Sequence, residues 1–421
     1  MSEKFDVIIV GAGPAGSAAA YSLAKMGFNV LMVERGKFPG AKNVMGGRMY
    51  AYALNRLIPE FWKEAPVERK VIRERLTLQG EKASFTLDFM DEEFREPPNS
   101  FTVLRATFDR WFANKAVEAG ATLVSGIRVD DLLWENKKIS GIVAGKDKIE
   151  ANVVIAADGA VSLIAEKAGL KKFDVKQFAL GMKEIIELPE KTIEERFNLA
   201  SGEGAAQLFV GQCTKEIPGG GFIYTNKTSL SVGIVIYIDR LIEKKIESHE
   251  IIREFNTNPI VARLIEGGKI LEYSAHVIPE ASRSELFTDG LLVAGDAGGL
   301  VVNSGLTLRG MDMAIASGVA SAEAVKKASE KNDFSKESLS YYEELLKRDF
   351  VLQDKETFKK ASEFLQNERL YTLYPEFVCR LFHRLALVNG PKKRAFDELL
   401  EESKGNRMMM FLDMLKGMRA L

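Results

Sequence analysis

The sequence predicts an α/β protein with three parts: a Rossmann-like nucleotide-binding domain, an inserted antiparallel β-sheet domain and a helical C-terminal region. Three observations support this fold class. A glycine-rich turn joins a short apolar run to an alanine-rich helix near the start of the chain. Strand-like segments dominate residues 178–273, and the residues after 334 show the charged, periodic pattern of helices. A nucleotide-binding unit followed by a separate run of strands is typical of a layered α/β fold that carries an inserted sheet.

The glycine-rich turn has the spacing of a dinucleotide-binding site. Gly11 permits the tight turn after the first buried strand, Gly13 lets the backbone approach a pyrophosphate, and Gly16 lets the helix pack closely on the strand. The helix that begins with Pro14 and Ala15 offers unpaired N–H groups and the positive end of its dipole to the phosphates. All five residues are therefore predicted to contact the cofactor or shape its site.

The second strand of this βαβ unit ends at an acidic residue. Glu34 lies eighteen residues after Gly16, where a carboxylate can accept both ribose hydroxyls of an adenosine. We expect its neighbour Arg35 to contact the cofactor as well. A glycine motif alone is weak evidence, but strand, turn, helix, strand and acid follow here in the order that the site requires.

Two later turns, near residues 158 and 295, each place an acid directly after a buried strand. Such an acid can accept ribityl or ribose hydroxyls, and the second turn leads through a glycine-rich loop into another helix. The N-terminus of that helix can direct N–H groups at a flavin carbonyl and favour the anionic reduced flavin. A single Asp-Gly pair is equally consistent with an ordinary turn. The predicted contacts are Asp158, Gly159, Gly295, Asp296, Gly310 and Met311.

The composition excludes several classes of protein. With 421 residues and a formal net charge of −1, the chain predicts two or three domains and gives no indication of nucleic-acid binding. Cys213 and Cys379 lie far apart, so no disulfide framework, iron–sulfur site or zinc site is expected, and no metal. The first strand begins too early for a signal peptide, and the apolar runs are far shorter than a membrane span. A cytoplasmic protein, either soluble or peripheral on the inner face of the cell membrane, is expected.

The pattern along the chain divides it into three units. Within them, residues 77–89 alternate as one strand, and residues 240–254 have the pattern of a charged helix. The predicted units are a discontinuous cofactor-binding domain (residues 1–75, 100–170 and 285–330), a substrate-facing β-sheet domain (76–99 and 171–284) and a helical region (331–421).

In this combination of motifs the chain resembles a flavoprotein family that includes aromatic hydroxylases, geranylgeranyl reductases and electron-transfer-flavoprotein–quinone oxidoreductases. The resemblance covers about residues 4–390. It implies a glutathione-reductase-type domain that holds FAD, rather than NAD, in an extended form. It also implies that Arg105 reaches the phosphate or ribityl region and that Val129 meets the adenine through its backbone. The alternative for Arg105 is an arginine at the exposed start of a helix.

Four segments resemble the FixC-type branch of this family, which is related to the quinone oxidoreductases. The first segment contains Gly46 and Gly47, which the resemblance assigns to the cofactor site. The hydroxylases carry His and Pro after the Gly-Asp motif, and the reductases and halogenases carry tryptophan motifs on the sheet; this chain has neither pattern. The four segments are residues 41–47, 220–227, 273–280 and 303–312.

The resemblance implies an electron relay from the subunits of an electron-transfer flavoprotein, through FAD, to a quinone. The quinone is expected beside Gly220, Phe222 and Tyr224, with His276 either shuttling protons or serving as a structural histidine. Residues 219–221 either let a flat ring approach the backbone or form a plain turn. The flavin carries the redox chemistry, so no catalytic side chain is assigned.

The sequence has no cysteine cluster, so an iron–sulfur cluster would have to come from a partner subunit. A small ferredoxin-like iron–sulfur subunit would supply any cluster, as in the FixC type, and the resemblance leaves open a complex that splits electron pairs by bifurcation. Three other functions stay open: a prenyl-chain reductase, an NAD(P)H-dependent flavin monooxygenase and a scaffold subunit with a structural FAD. Residues 408–421 mix Met, Phe and Leu with two basic residues. They could lie at a membrane surface, on a partner subunit or on their own domain.

Overall fold

The computed structural model describes residues 4–42 and 47–421. The strands of this part of the chain are β1 (Phe5–Val10), β2 (Val30–Glu34), β3 (Arg48–Tyr50), β4 (Val67–Gln79), β5 (Ser84–Met90), β6 (Ser100–Val103), β7 (Thr122–Ser125), β8 (Asp131–Glu135), β9 (Lys138–Ala144), β10 (Asp147–Ala156), β11 (Phe178–Glu187), β12 (Glu203–Gly211), β13 (Gly219–Thr225), β14 (Ser229–Tyr237), β15 (Lys269–Pro279), β16 (Phe287–Thr288), β17 (Leu291–Val293), β18 (Val302–Asn303) and β19 (Leu308–Arg309).

The helices follow the same chain order. They are α1 (Pro14–Lys25), α2 (Tyr52–Leu57), α3 (Arg105–Glu118), α4 (Leu163–Lys167), α5 (Glu190–Phe197), α6 (Ile238–Lys244), α7 (Ser248–Thr257), α8 (Pro259–Ile265), α9 (Met311–Glu330), α10 (Lys336–Leu339), α11 (Tyr341–Arg348), α12 (Phe350–Thr357), α13 (Ala361–Leu365), α14 (Leu373–Ala386), α15 (Ala395–Glu402) and α16 (Arg407–Ala420).

The first sheet confirms the Rossmann-like part of the predicted fold. Its strands run in the order β16-β17-β10-β1-β2-β7, and β1 pairs in parallel with both β2 and β10. The central strand β1 is buried over most of its length, as expected for a parallel strand covered on both faces. Helices α1 and α9 cross closely on this sheet: a Cβ on Gly318 would lie 2.2 Å from the carbonyl oxygen of Ala15. A Cβ on Gly295, just after β17, would lie 3.3 Å from the Cβ of Ala314 in the first turns of α9. The starts of both helices therefore lie near the carboxyl ends of the parallel strands.

The second sheet has the strand order β15-β11-β14-β13-β12-β4-β6-β3, with β5 paired to β4. Most pairs are antiparallel, but β4 and β12 are parallel. One face packs on α5, α7 and α8, where Phe197 and Phe255 lie in an apolar core with Ile223 of the sheet. Because side chains alternate along a strand, the neighbours of Ile223 on β13 point to the opposite face.

The structure corrects three local expectations about the strands and helices of this region. Residues 77–89 belong to two strands, because β4 ends at Gln79 and β5 begins at Ser84 as its antiparallel partner. Residues 240–254 belong to two helices: α6 ends before Lys245, whose φ of +54° breaks the helix. Residues 219–221 lie in β13 and do not form a turn. The predicted boundary between residues 75 and 76 falls inside β4, and the division into three units stays a prediction.

The C-terminal helices pack against the second sheet and against one another. Helix α14 covers β4 and β5, where the rings of Phe382 and Phe85 have centroids 4.4 Å apart. Helix α16 packs on α13 through Gly417, where a Cβ would lie 2.9 Å from the ring of Phe364. Met418 of α16 nevertheless remains 75% exposed. In the described part of the chain, no helix combines the length and apolar character needed to cross a membrane.

Helix α16 is anchored by an ion pair whose loss we expect to destabilise the fold. Arg369 donates to both carboxylate oxygens of Asp413 at 2.6 and 2.7 Å, and Tyr374 donates to the same group at 2.7 Å. The hydrogen bonds from Arg369, which have the largest effect, and from Tyr374 hold the pKa of Asp413 well below its ordinary value. Asp413→Asn is expected to lower the free energy of unfolding by about 1–2 kcal/mol near neutral pH, measured by chemical denaturation.

The depressed pKa of Asp413 sets the sign of the pH dependence. The ionised pair stabilises the folded state above the ordinary carboxyl pKa of about 4, and this contribution is lost as the pH falls through the lower folded-state pKa. The difference in the free energy of unfolding between D413N and the parent protein should therefore shrink in acid. Glu343→Gln, at the exposed pair with Lys347, is the control and should change stability by less than about 0.5 kcal/mol. Equal stability of D413N and the parent protein at neutral pH would contradict the expectation.

Candidate functional site

A cavity of about 890 Å³ lies between the carboxyl edge of the first sheet and one face of the second. Most of the predicted site residues border it. Gly16 and Gly295 lie behind its wall, and Gly46 lies outside the described residues. Those on the wall are Gly11, Gly13, Pro14, Ala15, Glu34, Arg35, Gly47, Arg105, Val129, Asp158, Gly159, Gly220, Phe222, Tyr224, His276, Asp296, Gly310 and Met311.

The turn between β1 and α1 fits a dinucleotide. Gly11 has a φ of +102°, and a Cβ there would lie 2.3 Å from the carbonyl oxygen of Ala157. A Cβ on Gly16 would lie 1.9 Å from the carbonyl oxygen of Gly11, so the helix starts tight against the turn. Among the described residues no side chain caps α1 at Gly13. The N–H groups of its first turn are therefore free to bind a phosphate in the cavity.

Glu34 is fixed at the end of β2 by two backbone donors. The N–H of Ala12 donates to Oε2 at 3.0 Å, and the N–H of Gly36 donates to Oε1 at 2.6 Å. Each carboxylate oxygen has a second lone pair, so the group can still accept hydroxyls from the cavity. Val129 borders the same end of the cavity and is 8% exposed. This arrangement fits a ribose at Glu34 and an adenine at Val129, and both roles stay predictions.

Arg105 begins helix α3 but does not lie on the surface. Its guanidinium donates to both carboxylate oxygens of Asp109 at 2.7 and 2.8 Å, and its side chain is 11% exposed. Burial raises the pKa of Asp296, while the charge of Arg105 opposes that shift. Burial lowers the pKa of His276, and the charges of Arg105 and Arg35 lower it further. Arg105, paired with Asp109, therefore borders the cavity, where its charge acts on Asp296 and His276.

The carboxylate of Asp158 is partly occupied by its own loop. The hydroxyl of Ser162 donates to Oδ1 at 2.5 Å, and the N–H of Ile164 donates to Oδ2 at 3.2 Å. Burial raises the pKa of Asp158. Gly159, at a φ of +86°, continues the turn along the cavity. Asp158 thus holds the start of α4 and also borders the cavity. Its predicted contact with a ribityl or ribose hydroxyl stays a prediction.

The second helix N-terminus at the cavity belongs to α9. No side chain among the described residues caps this helix at Gly310. The carboxylate of Asp312 lies in its first turn and accepts from Nε of Arg309 at 2.6 Å. Arg309 also pairs with Asp354, so one arginine serves two acids. The backbone dipole at the start of α9 lies beside Met311 and acts against their charge. The start of α1 thus offers N–H donors to an anionic ligand, and at the start of α9 the carboxylate of Asp312 accepts from part of that turn.

The opposite wall of the cavity is apolar and flat. Gly220, Phe222 and Tyr224 share one face of β13, and the two aromatic rings stack with centroids 4.9 Å apart. A Cβ on Gly233 would lie 2.4 Å from the ring of Phe222, and one on Gly47 would lie 2.8 Å from the ring of Tyr224. These two glycines leave room for the rings to lie against the sheet. The result is a surface suited to a flat, apolar group.

The sequence analysis missed several polar residues on this wall. Arg48 forms an ion pair with Glu74 and donates to the hydroxyl of Ser100 at 3.1 Å. Tyr237 and Glu280 meet where β14 and β15 end. No motif joins these residues because they come from separate strands. The one available signal was the position of Glu280 in the segment 273–280, which resembles the FixC-type branch.

Comparison with known families defines the class of protein. Family models match three successive parts of the chain: "FAD dependent oxidoreductase" at residues 6–175, "ETF-QO, ubiquinone-binding" at residues 178–278 and "ETF-QO/FixC family C-terminal domain" at residues 361–421. The first match covers Glu34 and the glycine-containing turns at residues 11–16 and 158–159. The chain is an FAD-dependent oxidoreductase, and the predicted cofactor is confirmed.

Similar proteins define the family more narrowly. The chain is 44% identical to Protein FixC of Salmonella typhi over the full length of both chains. It is 46% identical to Protein FixC of Escherichia coli K12, over 93% of this chain and 92% of that protein. It is 40% identical to the probable electron transfer flavoprotein-quinone oxidoreductase YdiS of Escherichia coli K12, over 100% of this chain and 99% of that protein. The chain belongs to the FixC family, related to the electron-transfer-flavoprotein–quinone oxidoreductases, as predicted.

Solved structures share the fold at much lower identity. A geranylgeranyl bacteriochlorophyll reductase-like protein from Thermoplasma acidophilum has a TM-score of 0.74 at 22% identity, over 97% of this chain and 99% of that chain. The myxobacterial chondrochloren halogenase has a TM-score of 0.64 at 18% identity, over 99% and 91%. These similarities support the fold class and carry no further argument about activity.

Proposed function

We propose that this chain accepts electrons from an electron-transfer flavoprotein and passes them to a quinone. The observation that carries the proposal is the apolar wall of Gly220, Phe222 and Tyr224, which borders the same cavity as the two helix N-termini. The names of YdiS and of the family model at residues 178–278 support it. Bound FAD would supply the exchange of one or two electrons at this place.

The residues on the first-sheet side would bind and orient the cofactor. The start of α1 would bind the pyrophosphate, Glu34 the adenosine ribose and Arg105 the phosphate or ribityl region. The start of α9, at Gly310 and Met311, would hold the ring end and stabilise negative charge there. These assignments are proposals, supported by the position of every one of these residues on the cavity wall.

The residues on the second-sheet side would hold the acceptor. A quinone head group is flat and apolar, with two carbonyl oxygens that need hydrogen-bond donors. Phe222 and Tyr224 offer a stacked aromatic surface, and leucines 76, 78 and 208 extend it along the sheet. Such a wall excludes water from the ring and favours a lipid-soluble acceptor over a charged one.

The proposed iron–sulfur partner would supply a metal site that the described residues lack. Within the described residues no group of three or more His, Cys, Asp or Glu side chains could hold a metal ion. We propose that a small ferredoxin-like subunit supplies any iron–sulfur cluster, and that such a complex can divide electron pairs between two acceptors. Exposed Phe411 and Met418 on α16, with Phe89 on β5, are suited to peripheral contact with a membrane.

The test is anaerobic electron transfer with the purified FAD-loaded chain. We expect its flavin absorbance to bleach on mixing with a reduced electron-transfer flavoprotein and to recover on adding a short-chain ubiquinone. Oxidation of NADPH with oxygen insertion by the chain alone would instead indicate a monooxygenase. Saturation of prenyl double bonds would indicate a reductase, and a flavin that resists every donor would indicate a structural cofactor.

A further inference from the structure

Two polar side chains interrupt the apolar wall beside the proposed quinone position. Tyr237, at the end of β14, donates its hydroxyl to Oε2 of Glu280 at 3.3 Å. Both residues border the cavity, and Tyr237 is only 4% exposed. The backbone N–H of Glu280 donates to the carbonyl oxygen of Gln177 at 2.8 Å, which fixes the residue at the strand end.

The groups that face Glu280 leave it without a direct ion pair among the described residues. The charge of Lys355 of α12 acts on Glu280, but its Nζ donates to the carbonyl oxygens of Gly299 at 3.2 Å and Val301 at 2.8 Å. Tyr371 faces the same place, and its hydroxyl donates to the carbonyl oxygen of Leu365. Burial lowers the pKa of Lys355 to about 8. Burial also raises the pKa of Glu280, against smaller opposing effects of Tyr237 and Lys355.

The register of the second sheet places Tyr237 nearer than His276 to Gly220. Glu280 follows β15, the strand of His276, and reaches this place through its contact with Tyr237. Gly220 pairs with Val235 of β14, Val235 pairs with Gly181 of β11, and Gly181 pairs with His276 of β15. His276 is thus three strand spacings from Gly220, about 14 Å at 4.8 Å for each step. Tyr237 lies on β14, the strand next to Gly220, and its N–H donates to the carbonyl oxygen of Pro218.

We propose that Glu280, oriented by Tyr237, is the proton donor for the bound quinone; this inference rests on the proposed function. Reduction of a quinone to the quinol takes two electrons and two protons. The two electrons come from the reduced electron-transfer flavoprotein by way of the cofactor. The protonated carboxyl of Glu280 gives one proton to a quinone oxygen, regains one from water and gives the second. Tyr237 holds Oε2, so that Oε1 carries the transferable proton toward the cavity.

The test compares three variants of the FAD-loaded protein. Glu280→Gln keeps the size and the hydrogen bond from Tyr237 but cannot transfer a proton. We expect it to lower quinone reduction about a hundredfold. Reduction by the electron-transfer flavoprotein, and reoxidation by ferricenium, which takes electrons without protons, should be unchanged. Glu184→Gln is the control, because Glu184 accepts from Asn256 at 2.7 Å on the opposite face of the sheet and should behave like the parent protein.

The pH profile and the infrared spectrum separate proton donation from a structural role. Quinone reduction should fall as the pH rises through the pKa of Glu280, because only the protonated acid can donate. Tyr237→Phe removes a hydrogen bond that lowers this pKa, so its profile should shift to higher pH. Burial also raises the pKa of Asp158, Asp296, Asp312 and Glu184, so the infrared spectrum is read as the difference between the parent protein and E280Q without turnover. That difference should contain the band of one protonated carboxyl at neutral pH.

The experiments distinguish the failure of the role of Glu280 from the failure of the proposed function. If E280Q reduces the quinone as fast as the parent protein, or if the infrared difference between the two proteins contains no carboxyl band, the role of Glu280 is refuted while the electron relay stands. If E280Q slows ferricenium and quinone alike, Glu280 acts on the cofactor site and the inference is again refuted. If the parent protein does not reduce a quinone at all, the proposed function fails, and this inference fails with it.

Discussion

Replacement of Gly11 by alanine is expected to give a protein that retains little or no FAD. The φ of Gly11 is +102°, and an added Cβ would lie 2.3 Å from the carbonyl oxygen of Ala157. The backbone strain alone costs about 1–3 kcal/mol. The overlap cannot be relieved by a side chain, because the neighbouring atom is backbone at the end of β10. The turn must therefore move, and with it the N–H groups at the start of α1.

The expected effect on the cofactor is large because the turn and the helix start form one binding unit. We expect FAD to bind at least about a hundredfold more weakly, which corresponds to about 2.7 kcal/mol. The measurement is the ratio of flavin absorbance to protein after purification, followed by titration of the apoprotein with FAD.

The same βαβ unit offers a matched control. Gly27 also has a positive φ, of +88°, but no described atom lies within 4 Å of the place its Cβ would occupy. Gly27→Ala therefore carries comparable backbone strain without the overlap. It should lose stability and keep its FAD. Equal FAD content in G11A and the parent protein would show that the turn does not contact the cofactor.

The parts of this protein that the sequence predicted are those in which one short segment determines the structure. The β1–α1–β2 unit is local: its apolar run, its glycines and Glu34 lie within about thirty residues, the length of a βαβ unit. The single strand expected at residues 77–89 is wrong because residues 80–83 form the turn between β4 and β5. The apolar positions change phase there, from Leu76 and Leu78 to Phe85 and Leu87, and such a change at a polar segment with a glycine indicates a turn.

The polar residues of the second sheet could not be predicted in the same way. Tyr237, Glu280 and Lys355 come from three elements that are distant in sequence, and only the tertiary fold brings them together. His276 was a reasonable candidate from residue type, but its distance from Gly220 depends on the order β13-β14-β11-β15. Strand order in an antiparallel sheet is set by long-range pairing, for which the sequence carried no local signal.

Replacement of Gly220 by valine is expected to block quinone reduction while leaving FAD content and reduction by the electron-transfer flavoprotein unchanged. Gly220 lies on the cavity face of β13 with an ordinary strand φ, and valine is favoured in strands. Its two methyl groups would project into the space beside Phe222 where we place the quinone ring. We expect kcat/KM for a short-chain quinone to fall at least about tenfold, or about 1.4 kcal/mol, in steady-state assays.

Gly220→Ala separates blockage from backbone strain. The Cβ of either substituent would lie 2.9 Å from the carbonyl oxygen of Phe209, so both variants share that small displacement. Only valine adds methyl groups beyond the Cβ, and the loss should therefore be graded, with alanine close to the parent protein. Ferricenium needs no access to the ring position, so its reduction should be the same in all three proteins. A valine variant with unchanged kcat/KM for the quinone would place the acceptor elsewhere, because an occupied ring site cannot accommodate the added volume.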